Sequence, residues 1–328
     1  MKLGIIGAGV IVQEFLPKLI RLEGMEVVAI QGTPNTLDDV KKLCDENGVP
    51  HAVGTFEELT ELDIDTIYVA VPNFLHFDYC KKGLENGLNV IVEKPMTSNY
   101  SESKELSDLA REKKLFLFEA ITTIYLGNYK KIEEWLPRIG DVKLVKSEYS
   151  QYSRRYDAFR NGEVLPAFDP NKAGGALMDL GLYNLHYIFG LFGRPEEYHY
   201  YPNIERDIDT SGILTLKYPS FQALSIAAKD CKGSYGGLIQ GSEGCIRSEY
   251  PPNLVGKITL ELNDGTVEEY DDGMSMERLI PEFTAFQKAI NNKDYDFCYE
   301  KLDESLLVSE IQTKARLDAG IRFPADDR

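Results

Sequence analysis

Six short apolar runs, at residues 2–6, 25–31, 51–53, 65–71, 89–92 and 115–118, alternate with stretches of helical period through the first third of the chain. That alternation constrains the fold more than any other feature. Strands buried on both faces by the helices between them build a doubly wound parallel sheet. Ligands of such sheets sit beyond the carboxyl ends of the strands, so the residues that follow each run are the first candidates for a site. The run Asn89-Val90-Ile91-Val92 ends in Glu93-Lys94-Pro95. Proline donates no hydrogen bond to a ladder and restricts the residue before it to extended geometry, so Lys94 is expected to look into a cleft from a fixed backbone. A strand end with a solvated lysine is the plainer alternative.

The first run leads at once into Gly7-Ala8-Gly9-Val10-Ile11-Val12 and a helical pattern. Strand, glycine turn and helix are the context of a dinucleotide site. Gly7 permits the tight turn, Gly9 lets the backbone approach a pyrophosphate, and the helix N-terminus offers free N–H groups and its dipole. The third glycine position of the fingerprint is occupied by Val12, whose branched side chain is expected to push helix from strand. The second strand ends in Gly32-Thr33-Pro34-Asn35, with neither an acid for a ribose diol nor an arginine for a 2′-phosphate. Thr33 and Asn35 suit either group, with Lys41 and Lys42 further on, so NAD and NADP both remain open. The fourth strand runs into Pro72-Asn73-Phe74-Leu75-His76, bordering the same cleft. His76 reads either as a cofactor or substrate contact or as a packing residue. Thr55 with Glu58 forms a capping box.

After Glu119 the period changes, and the division is placed at 1–121 and 122–328. Residues 128–136 read as a helix, 142–152 as a strand and 154–173 as an irregular loop, long enough to signal function or mobility. Next comes Gly174-Gly175-Ala176-Leu177-Met178-Asp179-Leu180-Gly181-Leu182-Tyr183-Asn184-Leu185-His186. At α-helical spacing Asp179, Tyr183 and His186 fall at i, i+4 and i+7 and share one face, while Leu177, Leu180, Leu185 and Ile188 supply an apolar one. Burying three such groups unpaired is costly, so they form either a site or a structural network. Seven β-type runs follow between 196 and 270, with Asn263-Asp264-Gly265 as a hairpin turn, and helices at 276–291 and 301–319 close the chain. The second domain is therefore α+β, with a large, mainly antiparallel sheet. Its free face is a candidate surface for a homodimer or a dimer of dimers.

Composition narrows the function. The 328 residues carry 53 acids against 36 Lys and Arg, a net charge of -17, which repels phosphate backbones and favours a small-molecule ligand over nucleic acid. No apolar run reaches the roughly 20 residues of a membrane span, and the N-terminus enters a strand directly, so a cytoplasmic protein is expected. The five cysteines are widely spaced without a C-x-x-C pair, and the four histidines are scattered, so neither a disulfide framework nor a metal is expected.

Together, Gly7-Ala8-Gly9, Pro72-Asn73 with His76, Glu93-Lys94-Pro95 and Gly174-Gly175 followed by Asp179 and Tyr183 resemble the glucose-fructose oxidoreductase, inositol dehydrogenase and rhizopine-catabolism (Gfo/Idh/MocA) family of NAD(P)-dependent oxidoreductases. The resemblance covers essentially the whole chain. Tyr183, four residues after Asp179, is similar to the dihydrodiol dehydrogenase and glucose-fructose oxidoreductase branch, where inositol-dehydrogenase-like members place a His. The resemblance implies hydride transfer between NAD or NADP and a hydroxyl or carbonyl carbon of a sugar, polyol or related small hydroxy compound. It implies cofactor contacts from Gly7, Ala8, Gly9, Val10, Ile11, Thr33, Pro72, Asn73, His76, Glu93 and Lys94. Catalysis would fall to Lys94, Tyr183 and Asp179, and substrate contacts to His186 and Tyr156. A phenol with a pKa near 10 is a weak base at neutral pH unless a cation favours its phenolate, a charge that Lys94 would supply. Two rival readings are a glycosidase that retains NAD and a non-catalytic protein that senses cofactor or sugar. Release of a chromogenic glycoside without net change in NAD(P)H identifies the first, while intact Lys94, Asp179 and Tyr183 argue against the second.

Overall fold

The computed structural model describes residues 1–328, the side chain of Ser275 excepted. The chain forms two compact units, residues 1–120 with 279–305, and residues 121–278 with 306–328.

In the first unit, strands β1 (Lys2–Ile6), β2 (Glu26–Gln31), β3 (His51–Val53), β4 (Thr66–Val69), β5 (Asn89–Glu93) and β6 (Leu117–Ala120) make a six-stranded sheet in the order β3-β2-β1-β4-β5-β6. All its pairings are parallel. The strands read as continuous apolar runs because both faces are covered, and Leu3, Ile5, Ile67, Val69, Val90 and Val92 have no accessible surface. Helices α1 (Val10–Leu19), α2 (Leu37–Asn47), α3 (Phe56–Thr60), α4 (His76–Glu85) and α5 (Tyr100–Lys113) connect them. The capping box at α3 is formed: Glu58 N–H donates to Thr55 Oγ1 at 3.2 Å, and the Glu58 carboxylate accepts from Thr55 N–H.

Residues 279–305 join this unit, although a division at 121/122 assigns them to the second domain. Their aromatic rings are the physical reason. Phe283 packs on Phe15 and Tyr68 at centroid distances of 5.3 and 5.1 Å, and Phe286 stacks on Phe118 at 4.5 Å.

The second unit is built on an eight-stranded sheet from β7 (Val142–Ser150), β8 (Glu197–Glu205), β9 (Ile208–Lys217), β10 (Gln222–Ala228), β11 (Tyr235–Gly241), β12 (Gly244–Ser248), β13 (Ile258–Leu262) and β14 (Val267–Tyr270). Its order is β14-β13-β12-β11-β7-β10-β9-β8, antiparallel except where β10 pairs with β7. The hairpin turn at 263–265 joins β13 to β14. Burial alternates along the central strands, so one face lies in the core and the other is open. The segment 154–173 is not wholly irregular: Arg154–Arg160 forms a short helix, α7, and 3₁₀ turns follow at Pro166–Phe168 and Pro170–Lys172. Helix α6 is Gly127–Trp135, and α8, Leu182–Phe192, lies against β7 and β10. Every residue of α8 from Leu182 to Phe189 is buried, so it is a central helix and not an amphipathic one. Helices α9 (Leu279–Asn292) and α10 (Tyr295–Asp318) close the chain.

Candidate functional site

In the first unit the candidate residues follow three adjacent strands. Gly7 leaves β1 with φ +106°, and a Cβ there would lie 2.4 Å from the Ala70 carbonyl oxygen, so only glycine fits the turn. Gly9 is different. A Cβ on it would meet no protein atom within 4 Å, so the open space beside it is available to a ligand. Gly9 is also the N-cap of α1, and no side chain caps that end, which leaves donors and a positive dipole end facing the same space. These features fit a dinucleotide pyrophosphate. Val12 is buried in α1 with Phe15, Leu16 and Leu19. After β2, the Thr33 and Thr36 hydroxyls lie 3.0 Å apart and Thr33 is exposed.

Pro72 and Asn73 follow β4, and Glu93 ends β5, where it accepts a 2.5 Å hydrogen bond from Tyr68 Oη. The Lys94-Pro95 peptide is cis, and Lys94 is half-buried. Of the two readings of His76, a contact with cofactor or substrate and a packing residue, its placement fits the second. It has no accessible surface, and its ring nitrogens lie 2.8 Å from the Pro95 and Val71 carbonyl oxygens. It therefore ties the turn after β4 to the turn after β5. Burial holds its pKa below the ordinary value, against the opposing effect of the two carbonyls.

In the second unit, the segment bearing Asp179 and Tyr183 begins at Gly175, whose φ is +105°. A Cβ there would lie 2.1 Å from Asp209 Oδ1. Asp209 is buried and accepts 2.6 Å bonds from Leu177 N–H and Tyr200 Oη, so a carboxylate from β9 holds the start of the helical segment. Burial raises the Asp209 carboxyl to about 6. Residues Leu177–Gly181 form a π-helical turn before α8. This wider turn, a form frequent at functional sites, changes the register assumed for Asp179, Tyr183 and His186. The Asp179 side chain is 32% exposed, Tyr183 is 9% exposed and His186 1%. His186 thus belongs to the interior instead of presenting a surface to substrate.

Asp179 opens on a cleft of about 350 Å³ that is also lined by Gln151, Tyr152, Ser153, Arg154, Arg155 and Lys229. The side chain of Lys229 is 3% exposed, and its Nζ lies 2.8 Å from Asp179 Oδ2. The same ammonium donates to the Ala167 carbonyl at 2.8 Å and sits 4.9 Å from the centre of the Phe168 ring. Lys229, which pairs with Asp179, and Asp209, which holds the start of its segment, are residues that sequence reasoning did not single out. The glycine pair at 174–175 signals a close approach, but nothing local names the partner. Tyr156 lies on α7, its hydroxyl 2.6 Å from Glu205; that bond, with burial, raises its pKa to about 12. Among the described residues no group of three or more His, Cys, Asp or Glu is placed to hold a metal ion, and no helix is long and apolar enough to cross a membrane.

Residues 1–120 match the family model described as the oxidoreductase family, NAD-binding Rossmann fold, and residues 136–322 match that of its C-terminal alpha/beta domain. A scyllo-inositol 2-dehydrogenase (NADP(+)), IolU of Bacillus subtilis, is 29% identical over 99% of both chains. The trans-1,2-dihydrobenzene-1,2-diol dehydrogenase of Mus musculus is 27% identical over 100% of this chain and 99% of the other. Among solved structures, the 3-ketoreductase KijD10 of Actinomadura kijaniata, in complex with NADP and TDP-benzene, superposes with a TM-score of 0.84 at 21% identity, covering 98% of both chains.

Proposed function

This chain belongs to the Gfo/Idh/MocA family of NAD(P)-dependent oxidoreductases, and we propose that its substrate is a sugar, a polyol or a related small hydroxy compound. It acts at a hydroxyl or carbonyl carbon. The observation that carries the reading is the glycine turn at the carboxyl end of β1, where the conformation of Gly7 and the open space at Gly9 leave room for a dinucleotide. The bound dinucleotide supplies the hydride acceptor or donor. Tyr183 is assigned the proton transfer with the substrate hydroxyl, and Lys94 the electrostatic stabilisation of phenolate or alkoxide. Asp179 is assigned the orientation of a substrate hydroxyl. Gly7, Ala8, Gly9, Val10, Ile11, Thr33, Pro72, Asn73 and Glu93 are assigned to the cofactor, and Tyr156 to the substrate side.

Thermal-shift titration with NAD and with NADP, followed by a polyol and aldose panel with whichever binds, tests the assignment. Lys94→Met and Tyr183→Phe should each retain cofactor binding and lose turnover by about 100-fold or more, the lower end for general acid–base catalysis. Near-normal rates in both variants would exclude these roles.

We further propose a cytoplasmic homodimer joined through the open face of the eight-stranded sheet. Leu144, Tyr201, Ile213 and Leu224 are exposed there on four adjacent strands, an apolar row that supports burial against a second copy.

A further inference from the structure

We propose that the cleft beside Asp179 takes a substrate that bears an anionic group, a carboxylate or a phosphate, on a polyhydroxylated body. The inference rests on the reading of the chain as an oxidoreductase of small hydroxy compounds and narrows its substrate class. Across the whole sequence acids exceed bases by 17, yet the cleft lining holds Arg154, Arg155 and Lys229 against the single carboxylate of Asp179. Lys229 is already committed to Asp179 and to the Ala167 carbonyl. The two arginines are left as a local excess of positive charge on a strongly negative protein.

Neither guanidinium has an ion-pair or hydrogen-bond partner among the described residues. Elsewhere Arg111, Arg138, Arg194, Arg247 and Arg316 are each held by a carboxylate. Asp157, three residues beyond Arg154 on α7 and well placed to pair with it, instead accepts a 2.6 Å hydrogen bond from Tyr152. Two guanidinium groups lining one cleft repel each other, and an anion between them removes that repulsion. Their planar donor forks match the oxygen geometry of a carboxylate or phosphate. Gln151, Tyr152 and Ser153 supply amide and hydroxyl groups to the same lining, as a polyhydroxylated body needs. The cleft volume of about 350 Å³ lies at the small end of the roughly 300–1,000 Å³ of ligand pockets.

Isothermal titration of the full chain at low ionic strength tests this, with D-glucuronate, D-gluconate and D-glucose 6-phosphate as anionic probes and D-glucose and D-sorbitol as neutral ones. At least one anion should bind about 10-fold or more tightly than its neutral counterpart, a margin of about 1.4 kcal/mol. Which of the carboxylates or the phosphate binds best identifies the group. The double variant Arg154→Gln/Arg155→Gln, both sites being exposed, should abolish the margin and leave the neutral compounds unchanged. Equal binding of anions and neutral compounds, an unchanged margin in the double variant, or no binding of any anion overturns the proposal. Turnover is read separately. Anion binding without change in NAD(P)H leaves the cleft assignment standing and sinks the proposed reaction, whereas turnover of neutral polyols with no anion margin does the reverse.

Discussion

Removing either partner of the Lys229–Asp179 pair should destabilise the second unit, but by unequal amounts. The Lys229 side chain is 3% exposed and that of Asp179 32%, so the two charges depend on each other differently. Replacing Asp179 with leucine leaves an ammonium in the interior with the Ala167 carbonyl and the Phe168 ring but without its counter-charge. Breaking a buried pair in this way costs about 3–5 kcal/mol. Replacing Lys229 with methionine removes the buried charge itself and keeps most of its volume. Asp179 then faces the cleft, where water reaches it, and the Ala167 carbonyl loses a donor, a penalty of about 1–3 kcal/mol. That penalty is offset in part because no ammonium has to be desolvated, so a net cost near 1 kcal/mol is expected. With about 2–4 °C of melting temperature per kcal/mol for a unit of this size, Asp179→Leu should lower the transition by about 6–20 °C and Lys229→Met by about 2–4 °C. The double variant should melt close to Lys229→Met, because the second change removes the charge that the first one stranded. Scanning calorimetry of the three variants checks this. Equal losses in the single variants, or a double variant no more stable than Asp179→Leu, would refute the reasoning.

Gly175→Ala should cost the same unit about 2 kcal/mol or more, since it combines the strain of a positive φ with a Cβ set against Asp209; an unchanged melting temperature excludes that account. Asp209, raised to about 6 from an ordinary 3.8, contributes stability that is fully present below the unfolded value and lost as pH rises through about 6. The stability of the wild type relative to Asp209→Asn should therefore increase by about 3 kcal/mol from pH 7 to below pH 4, and a flat or opposite difference in urea titrations across that window contradicts it. Ile213→Asp with Leu224→Asp should convert the proposed dimer to monomer in analytical ultracentrifugation with the secondary structure intact; an unchanged mass places the interface elsewhere.

The six-stranded sheet was legible because its strands are β-branched or apolar runs, the first five closed by a Gly or Pro, and strands buried on both faces carry that signal without alternation. The turn at Gly7 and the end of β5 at Lys94 were legible for the same local reason. The helix at 177–192 was found but its faces were not, because the spacing argument assumes 3.6 residues per turn and Leu177–Gly181 follows a wider one. His76 read either as a ligand contact or as a packing residue, and only its depth, with a carbonyl on each ring nitrogen, shows that it braces two turns. Lys229 lies 50 residues from its partner Asp179, and Asp209 lies 32 residues from Leu177, whose N–H donates to it, and contacts at such separations leave no local pattern to read. The return of 279–305 to the first unit was hidden likewise, since Phe283 and Phe286 look like any apolar helix face until their partners are known.

That return bears on how the protein is made. The chain leaves the first unit at residue 120 and supplies its last segment only at residues 279–305, so a ribosome emits the whole sheet of the second unit before the first can be finished. Until then Phe15, Tyr68 and Phe118 lack the rings that cover them. The nascent first unit must wait with an adhesive apolar surface during synthesis of more than 150 residues, at about 5–20 residues per second. A fragment ending at residue 121 would keep that surface permanently, which makes it a poor choice for isolating the nucleotide-binding half and a natural client for chaperones.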